Sequence, residues 1–299
     1  MVAGGNKTSG PCVYVVVAVH NRKALTRNFC DCLSQQSYRH FVLVLVDDGS
    51  TDDTFQVVAS YSFAKQIIRG DGSLWFAGGV RRGMARVLAQ NPRQDDVVWF
   101  ANDDTSFESN FLENALRELD SIGQGAMLAV PSVFTDSGNR SEGGFCCYWP
   151  KFTFKDYGLH PERIDCASTR CLLMRWEDAR KTGGFRPRLL PQYLSDLDFT
   201  IRGHRRGIRI IPAASVCSLS TEYTTGLHRV PPGKAWEVIK YMFSNRFSAN
   251  PLHVFIFILL AAPVFWKVTC WLFAAKSSFS FFINATVVKR LRGRSGQGN

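Results

Sequence analysis

Apolar residues in this chain gather in short unbroken runs, each ending in a burst of polar ones. Phe41-Val-Leu-Val-Leu-Val46 runs straight into Asp47-Asp48-Gly49-Ser50-Thr51-Asp52. Residues 13–19 are β-branched almost throughout and are closed by His20-Asn21-Arg22. Val97-Val-Trp-Phe-Ala101 ends in Asn102-Asp103-Asp104-Thr105. Runs of this kind, without polar alternation, read as strands buried on both faces, the habit of parallel sheets. Helical spacing separates them. Residues 24–36 place Leu25, Phe29, Cys32 and Leu33 on one face, and Thr51–Tyr61 reads as a helix capped by Ser50 or Thr51 with acids in its first turn. A short strand at 66–68 follows, then helices near 79–90 and 110–120. The alternation predicts an α/β fold with a Rossmann-like, mostly parallel sheet flanked by helices. Ligands of such sheets bind beyond the carboxyl ends of the strands, which is where the acidic clusters fall.

Residues 70–83 form a glycine-rich loop that enters a helix. Glycines there let backbone approach a ligand closely, and a helix N-terminus favours an anion. From 127 to 175 the pattern is irregular, with strands near 128–134 and 169–175 around an aromatic-rich insert. Residues 193–206 read as a helix ended by Gly207, followed by a strand at 208–211 that stops at Pro212.

The last third changes character. Residues 252–275 are almost wholly apolar, interrupted by His253, Pro263 and Lys267; 279–288 are apolar again, and Lys289, Arg290, Arg292 and Arg294 follow. The length suffices to cross a bilayer. Pro263 and Lys267 near the middle argue instead for a re-entrant hairpin, or for an interfacial helix with a basic anchor. A pair of helices packed on the core is the plainer alternative. The expected organisation is a disordered tail at 1–11, an α/β domain at 12–230 and a C-terminal apolar helical region with a basic tail at 231–299.

Composition narrows the partners. The 299 residues are 45% hydrophobic and 20% charged, as in globular proteins, and the net charge is +11. That charge suits nucleic acid, an anionic membrane or an anionic substrate. Without zinc-finger spacing, an aromatic RNA-binding signature or a basic heptad run, nucleic acid is excluded as the expected partner. The nine cysteines show neither a disulfide framework nor a CxxC pair, which points to reduced thiols and a cytoplasmic protein able to lie on the cytosolic face of a membrane.

Taken together, Val17-Ala-Val-His20-Asn21-Arg22, Leu33-Ser-Gln35-Gln36-Ser-Tyr38 and Val46-Asp47-Asp48-Gly49-Ser50-Thr51-Asp52-Asp53-Thr54 resemble the opening of a family 2 glycosyltransferase of the GT-A fold. Asn102-Asp103-Asp104 resembles that family's metal-binding acidic motif. Ser195-Asp196-Leu197-Asp198-Phe199-Thr-Ile-Arg202 resembles its segment carrying the catalytic base. The motifs stand in the family's order over about residues 12–230. The glycine-rich loop and Leu190-Pro-Gln-Tyr-Leu-Ser-Asp-Leu-Asp198 are similar to bacterial-type surface-polysaccharide enzymes, rhamnosyltransferase-like members among them.

The resemblance implies an inverting transfer from a UDP- or dTDP-sugar donor to a glycan or lipid-linked glycan. It implies His20, Asp47 and Asp48 at the nucleotide, with Asp103 beside the donor. Arg81 or Arg82 would meet the pyrophosphate, and Trp75 would stack on a sugar. Asp104, assisted by Asp103 or Asn102, would hold Mn²⁺ or Mg²⁺, with His228 as a late ligand. The first position of the acidic motif is Asn102, a departure from a strict Asp-X-Asp. Asp196 is the expected base, with Asp198 pairing to Arg202 at i+4. Peripheral membrane contact is part of this expectation, and homo-oligomerisation stays open. Two rivals are a nucleotidyltransferase, which wants a glycine- and lysine-rich loop where His20-Asn21-Arg22-Lys23 stands, and a glycan-binding protein with a decayed site.

Overall fold

A computed structural model describes residues 10–141, 143–156, 161–221 and 230–295, with backbone only at 161 and 287–295. The expected tail therefore falls, up to residue 9, outside the described residues, as does His228. The first half contains β1 (Val13–Val19), α1 (Lys23–Ser34), β2 (Phe41–Asp47), α2 (Thr54–Ala59), β3 (Lys65–Arg69) and α3 (Trp75–Leu88). Then come β4 (Val97–Ala101), β5 (Thr105–Ser106), α4 (Phe111–Ile122), β6 (Ala126–Ala129) and β7 (Ser132–Phe134). The irregular region resolves into β8 (Arg140–Ser141), β9 (Gly144–Tyr148), β10 (Thr153–Asp156), β11 (Cys166–Ala167), β12 (Cys171–Arg175) and α5 (Trp176–Thr182). The chain ends with α6 (Ser195–Arg205), β13 (Arg209–Pro212), β14 (Ser218–Ser220), α7 (Ala235–Met242), α8 (Pro251–Ala261) and α9 (Lys267–Ser295).

Seven strands form the main sheet in the order β13-β6-β12-β4-β1-β2-β3. β3, β2, β1 and β4 are parallel, as the apolar runs predict. β12 alone runs against its neighbours, antiparallel to both β4 and β6. Side-chain alternation splits the core into two layers. Val13, Val15 and Val17 face Phe29 and Leu33 of α1 and Phe111 of α4, while Tyr14 and Val16 face Val80 and Met84 of α3 and Phe199 of α6. Pro212 lies in β13, an edge strand, where a missing N–H is tolerated.

Two local expectations are corrected. Neither Ser50 nor Thr51 caps α2, which starts at Thr54 without an acid in its first turn. Both hydroxyl residues instead meet the loop after β1: Asn21 N donates to Ser50 Oγ at 2.8 Å, and Thr51 N donates to Asn21 Oδ1 at 2.7 Å. The helix after the glycine-rich loop begins at Trp75, four residues earlier than the spacing predicts.

α3 lies close on the sheet through Gly79 and Gly83. A Cβ at Gly83 would stand 2.5 Å from Val16 Cγ1, and one at Gly79 would stand 2.6 Å from Ala18 Cβ. Gly83→Val is therefore expected to cost about 1–3 kcal/mol by overpacking, read as a lower midpoint of urea unfolding. An unchanged midpoint would show that α3 lifts freely off the sheet.

The apolar C-terminal stretch is broken rather than continuous. Ala262 takes an extended backbone, as a residue before proline tends to, and Pro263 separates α8 from a short 3₁₀ turn at Val264–Trp266 and from α9. No described helix is long and apolar enough to cross a membrane. Phe257 and Ala261 of α8 pack with Cys147, Leu190 and Ile201, and Ile258 packs with Cys270 of α9.

Candidate active site

An open cleft of about 630 Å³ lies at the carboxyl edge of β1 and β4. It is lined by His20, Arg22, Asp48, Trp75, Asn102, Asp103, Asp104 and Asp196, among others. Parallel strands explain the first members, because their ends come to one edge. The reversed β12 explains others. Cys171 pairs with Ala101, so the beginning of β12 lies beside the end of β4. Ser168, Thr169 and Arg170 thereby join the cleft, and Asn102 N donates to Arg170 O at 2.8 Å.

Three non-glycine residues with left-handed backbone line this cleft: Asn21 (φ 52°), Trp75 (φ 57°) and Leu194 (φ 65°). Such conformations cost of order 1–3 kcal/mol each and gather at functional sites. Each sits where a strand or loop turns into an element that presents a polar group. Leu194 immediately precedes α6, which carries Asp196 in its first turn.

Asp48 organises one wall. Its Oδ1 accepts from Gly72 N at 2.9 Å and its Oδ2 from Trp75 N at 3.0 Å. Phe76 N donates to Gln192 Oε1 at 3.0 Å, and Ala77 N to Pro191 O at 2.9 Å. The N-terminus of α3, expected to receive a ligand's anion, thus already holds a carboxylate and two other acceptors from the chain itself. His20 Nδ1 donates to Asp48 O at 2.6 Å, since a carbonyl only accepts, and Nε2 lies 3.1 Å from Asn21 Nδ2. Asp47 is buried behind this wall and does not line the cleft. Its Oδ1 accepts from Ser50 N at 2.9 Å, while its buried Oδ2 has no hydrogen-bond partner among the described residues.

The acidic turn after β4 is held by guanidinium groups. Arg22 Nε lies 2.7 Å from Asp103 Oδ1, and Arg22 Nη2 lies 3.3 Å from Asp104 Oδ2. Arg170 Nη1 lies 3.6 Å from Asp104 Oδ1. Thr26 Oγ1 donates to Asp103 Oδ2 at 2.8 Å. Burial pushes the Asp103 carboxyl up to about 6, with Arg22 opposing the rise. Asp103 therefore braces the turn through Arg22 and Thr26, while Asp104 meets both Arg22 and Arg170.

Asp196 lines the same cleft from the first turn of α6. Leu197 N donates to its Oδ1 at 2.9 Å, and Thr169 N and Ser168 Oγ also donate to the carboxylate. Burial nonetheless raises its pKa above the ordinary carboxylate value, outweighing these bonds. Asp198 turns away, taking Arg202 Nε at 3.0 Å, which fits its expected i+4 pairing, and Arg186 Nη1 at 3.4 Å. Arg81 is exposed on α3 and does not reach the cleft. Among the described residues the arginines that do reach it are Arg22, Arg170 and Arg246. Arg170 and Arg246 carry no local signal, because each is brought in by the reversed strand or by the segment between α7 and α8.

Residues 14–183 match the model of glycosyl transferase family 2. The chain belongs to that family. That membership leaves the nucleotidyltransferase alternative without support. It is 27% identical over 135 residues to glycosyltransferase GlyA of Streptococcus pneumoniae, covering 44% of this chain and 18% of that protein. Among solved structures it resembles the mannosyltransferase PcManGT of Pyrobaculum calidifontis, in complex with GDP-Man and Mn²⁺. That likeness has a TM-score of 0.55 at 16% identity, over 98% of this chain and 77% of the other. It also resembles S. aureus TarS 1-349 in complex with UDP-GlcNAc, with a TM-score of 0.54 at 14% identity over 92% of this chain and 81% of that one. At such identities the likeness shows the fold, which is GT-A.

Proposed function

We propose that this glycosyltransferase moves a hexosyl or deoxyhexosyl unit, with inversion, from a UDP- or dTDP-sugar to a glycan or lipid-linked glycan. The observation that carries the reading is a single cleft lined both by Asp196, a carboxylate of raised pKa, and by the Asn102–Asp104 turn. In a single displacement the acceptor hydroxyl attacks the anomeric carbon from the face opposite the nucleotide. Asp196 takes the hydroxyl proton as the new bond forms. The departing diphosphate is met by the guanidinium groups of Arg22, Arg170 and Arg246, which supply charge-assisted donors.

Asp104 and the Asn102 amide are hard oxygen donors that suit Mn²⁺ or Mg²⁺ carried in largely by the diphosphate, a mode needing only one or two protein carboxylates. No cluster of three His, Cys, Asp or Glu side chains is present among the described residues to hold the ion alone. When bound, the cation would act as a Lewis acid on the leaving diphosphate. Asp48 and His20 shape the donor's wall, and Trp75 offers a ring for stacking. Residues 12–230 would supply most of this chemistry, with Arg246 reaching in from 231–299, a region that would also bring the cleft to the cytosolic face of a membrane.

Calorimetry with UDP, dTDP and GDP, with and without Mn²⁺, tests the donor assignment. Metal-dependent binding of one nucleotide is expected, weakened at least about tenfold in Asp104→Ala, the scale at which disturbing a metal's surroundings is felt. Undiminished binding in that variant would remove Asp104 from the metal.

A further inference from the structure

We propose that α7, α8, the Val264–Trp266 turn and α9 form a face that docks on an anionic lipid bilayer and takes one hydrocarbon chain into an apolar groove. The acceptor would then be lipid-borne, a deepening that rests on the transferase reading above. Large apolar side chains are exposed across all these elements. Phe265 is 92% exposed, Val264 76% and Trp236 72%, and Phe243, Phe255 and Phe279 join them. Soluble surfaces rarely carry apolar residues so concentrated unless something covers them.

Between α7, α8 and α9 lies a groove of about 580 Å³, whose walls include Ile239, Phe243, Phe255, Trp271 and Phe282. Phe255 and Trp271 stack within it, their ring centroids 4.8 Å apart. Such a trough offers nothing to a polar ligand and fits a flexible hydrocarbon chain.

Charge decides between the occupants. Residues 231–299 hold nine lysines and arginines and one acid, Glu237, so they carry +8 of the chain's +11. A second copy docked here would bring together two segments that each carry +8. Anionic headgroups would instead be attracted to each basic residue near the surface. Since no described helix is long and apolar enough to cross, the elements would lie in the interface with aromatic side chains among the headgroups.

The position relative to the cleft gives the docking its purpose. Phe243 lines the groove and Arg246 lines the catalytic cleft. Three peptide units separate them, so their Cα atoms are at most ~11 Å apart. A lipid whose chain enters the groove would present its headgroup beside Arg246, at the mouth where an acceptor hydroxyl must arrive.

The test is flotation of the full chain with vesicles of three parts phosphatidylcholine to one part phosphatidylglycerol, against phosphatidylcholine alone. Binding to the anionic vesicles is expected, weaker with rising salt, and reduced at least about tenfold in the double variant Val264→Ser, Phe265→Ser, as two apolar side chains leave the interface. These two residues are largely exposed and do not line the cleft, so nucleotide binding measured in solution on the same preparations should be unchanged; that control separates failure of the docking from failure of the transferase reading. Acyl-brominated phospholipid in the vesicles should quench the wild type more than Trp271→Phe. Absence of flotation, or a lipid-free dimer broken by the same double variant, would overturn the proposal, and equal quenching would remove the chain from the groove.

Discussion

Asp196→Asn is expected to lower glycosyl transfer by about 10²–10⁴-fold, the usual contribution of a positioned base, while donor binding survives. The amide keeps the shape and can still accept from Leu197 N, but it cannot take the acceptor's proton. The pH profile gives an independent readout. A base works when ionised, and burial raises this carboxyl, so activity should fall on the acid side with a midpoint above about 4, the ordinary value. The sign for stability runs opposite. A carboxyl whose folded pKa is raised adds stability when protonated and loses it as pH rises through that pKa. Asp196→Asn should therefore leave the unfolding midpoint at neutral pH equal or higher. A variant that unfolds early yet turns over normally would make Asp196 a helix-end acid and nothing more. Steady-state transfer from pH 4 to 9, beside urea unfolding at neutral pH, decides between them.

Arg22→Ala should produce the largest loss of stability, about 3–5 kcal/mol, because it removes a cation from two carboxylates that are almost wholly buried. Arg170 still reaches Asp104 at 3.6 Å, so Asp103 bears most of the loss. Without Arg22 the Asp103 pKa should climb beyond about 6, and the deficit should widen as pH rises from acidic to neutral. Arg22→Lys should recover only part, since an ammonium cannot span both acids as the planar fork does. Urea unfolding midpoints at two pH values measure this, and a pH-independent difference would show that Asp103 is not the group left exposed.

Much of the scaffold was legible because its signal is local. Continuous apolar runs at 13–19, 41–46 and 97–101 specify strands buried on both faces whatever surrounds them, and each carries its polar burst to the same edge. The acidic turn and the Ser195–Arg202 segment could be read the same way, as could the Asp198–Arg202 pair, whose i+4 spacing is a property of the helix. Less was legible where a side chain had competing partners. Asp48 reads as a donor-site carboxylate, yet both its oxygens hold the glycine-rich loop. Arg81 sits near the right helix end but faces solvent.

By itself, then, the sequence determined the strand–helix alternation, the edge at which the chemistry gathers and the basic, apolar character of the last third. These follow from periodicity and composition, which act over a few residues. Only the tertiary structure decided that β12 runs backwards, bringing Ser168, Thr169 and Arg170 against Asp196 and Asp104, because strand direction is set by long-range pairing. It alone decided that Pro263 folds the apolar stretch into two helices, one side packed on the insert and the other left bare. Burial completed the site: the same carboxylate chemistry became a brace at Asp103 and a candidate base at Asp196 through the partners each found on folding.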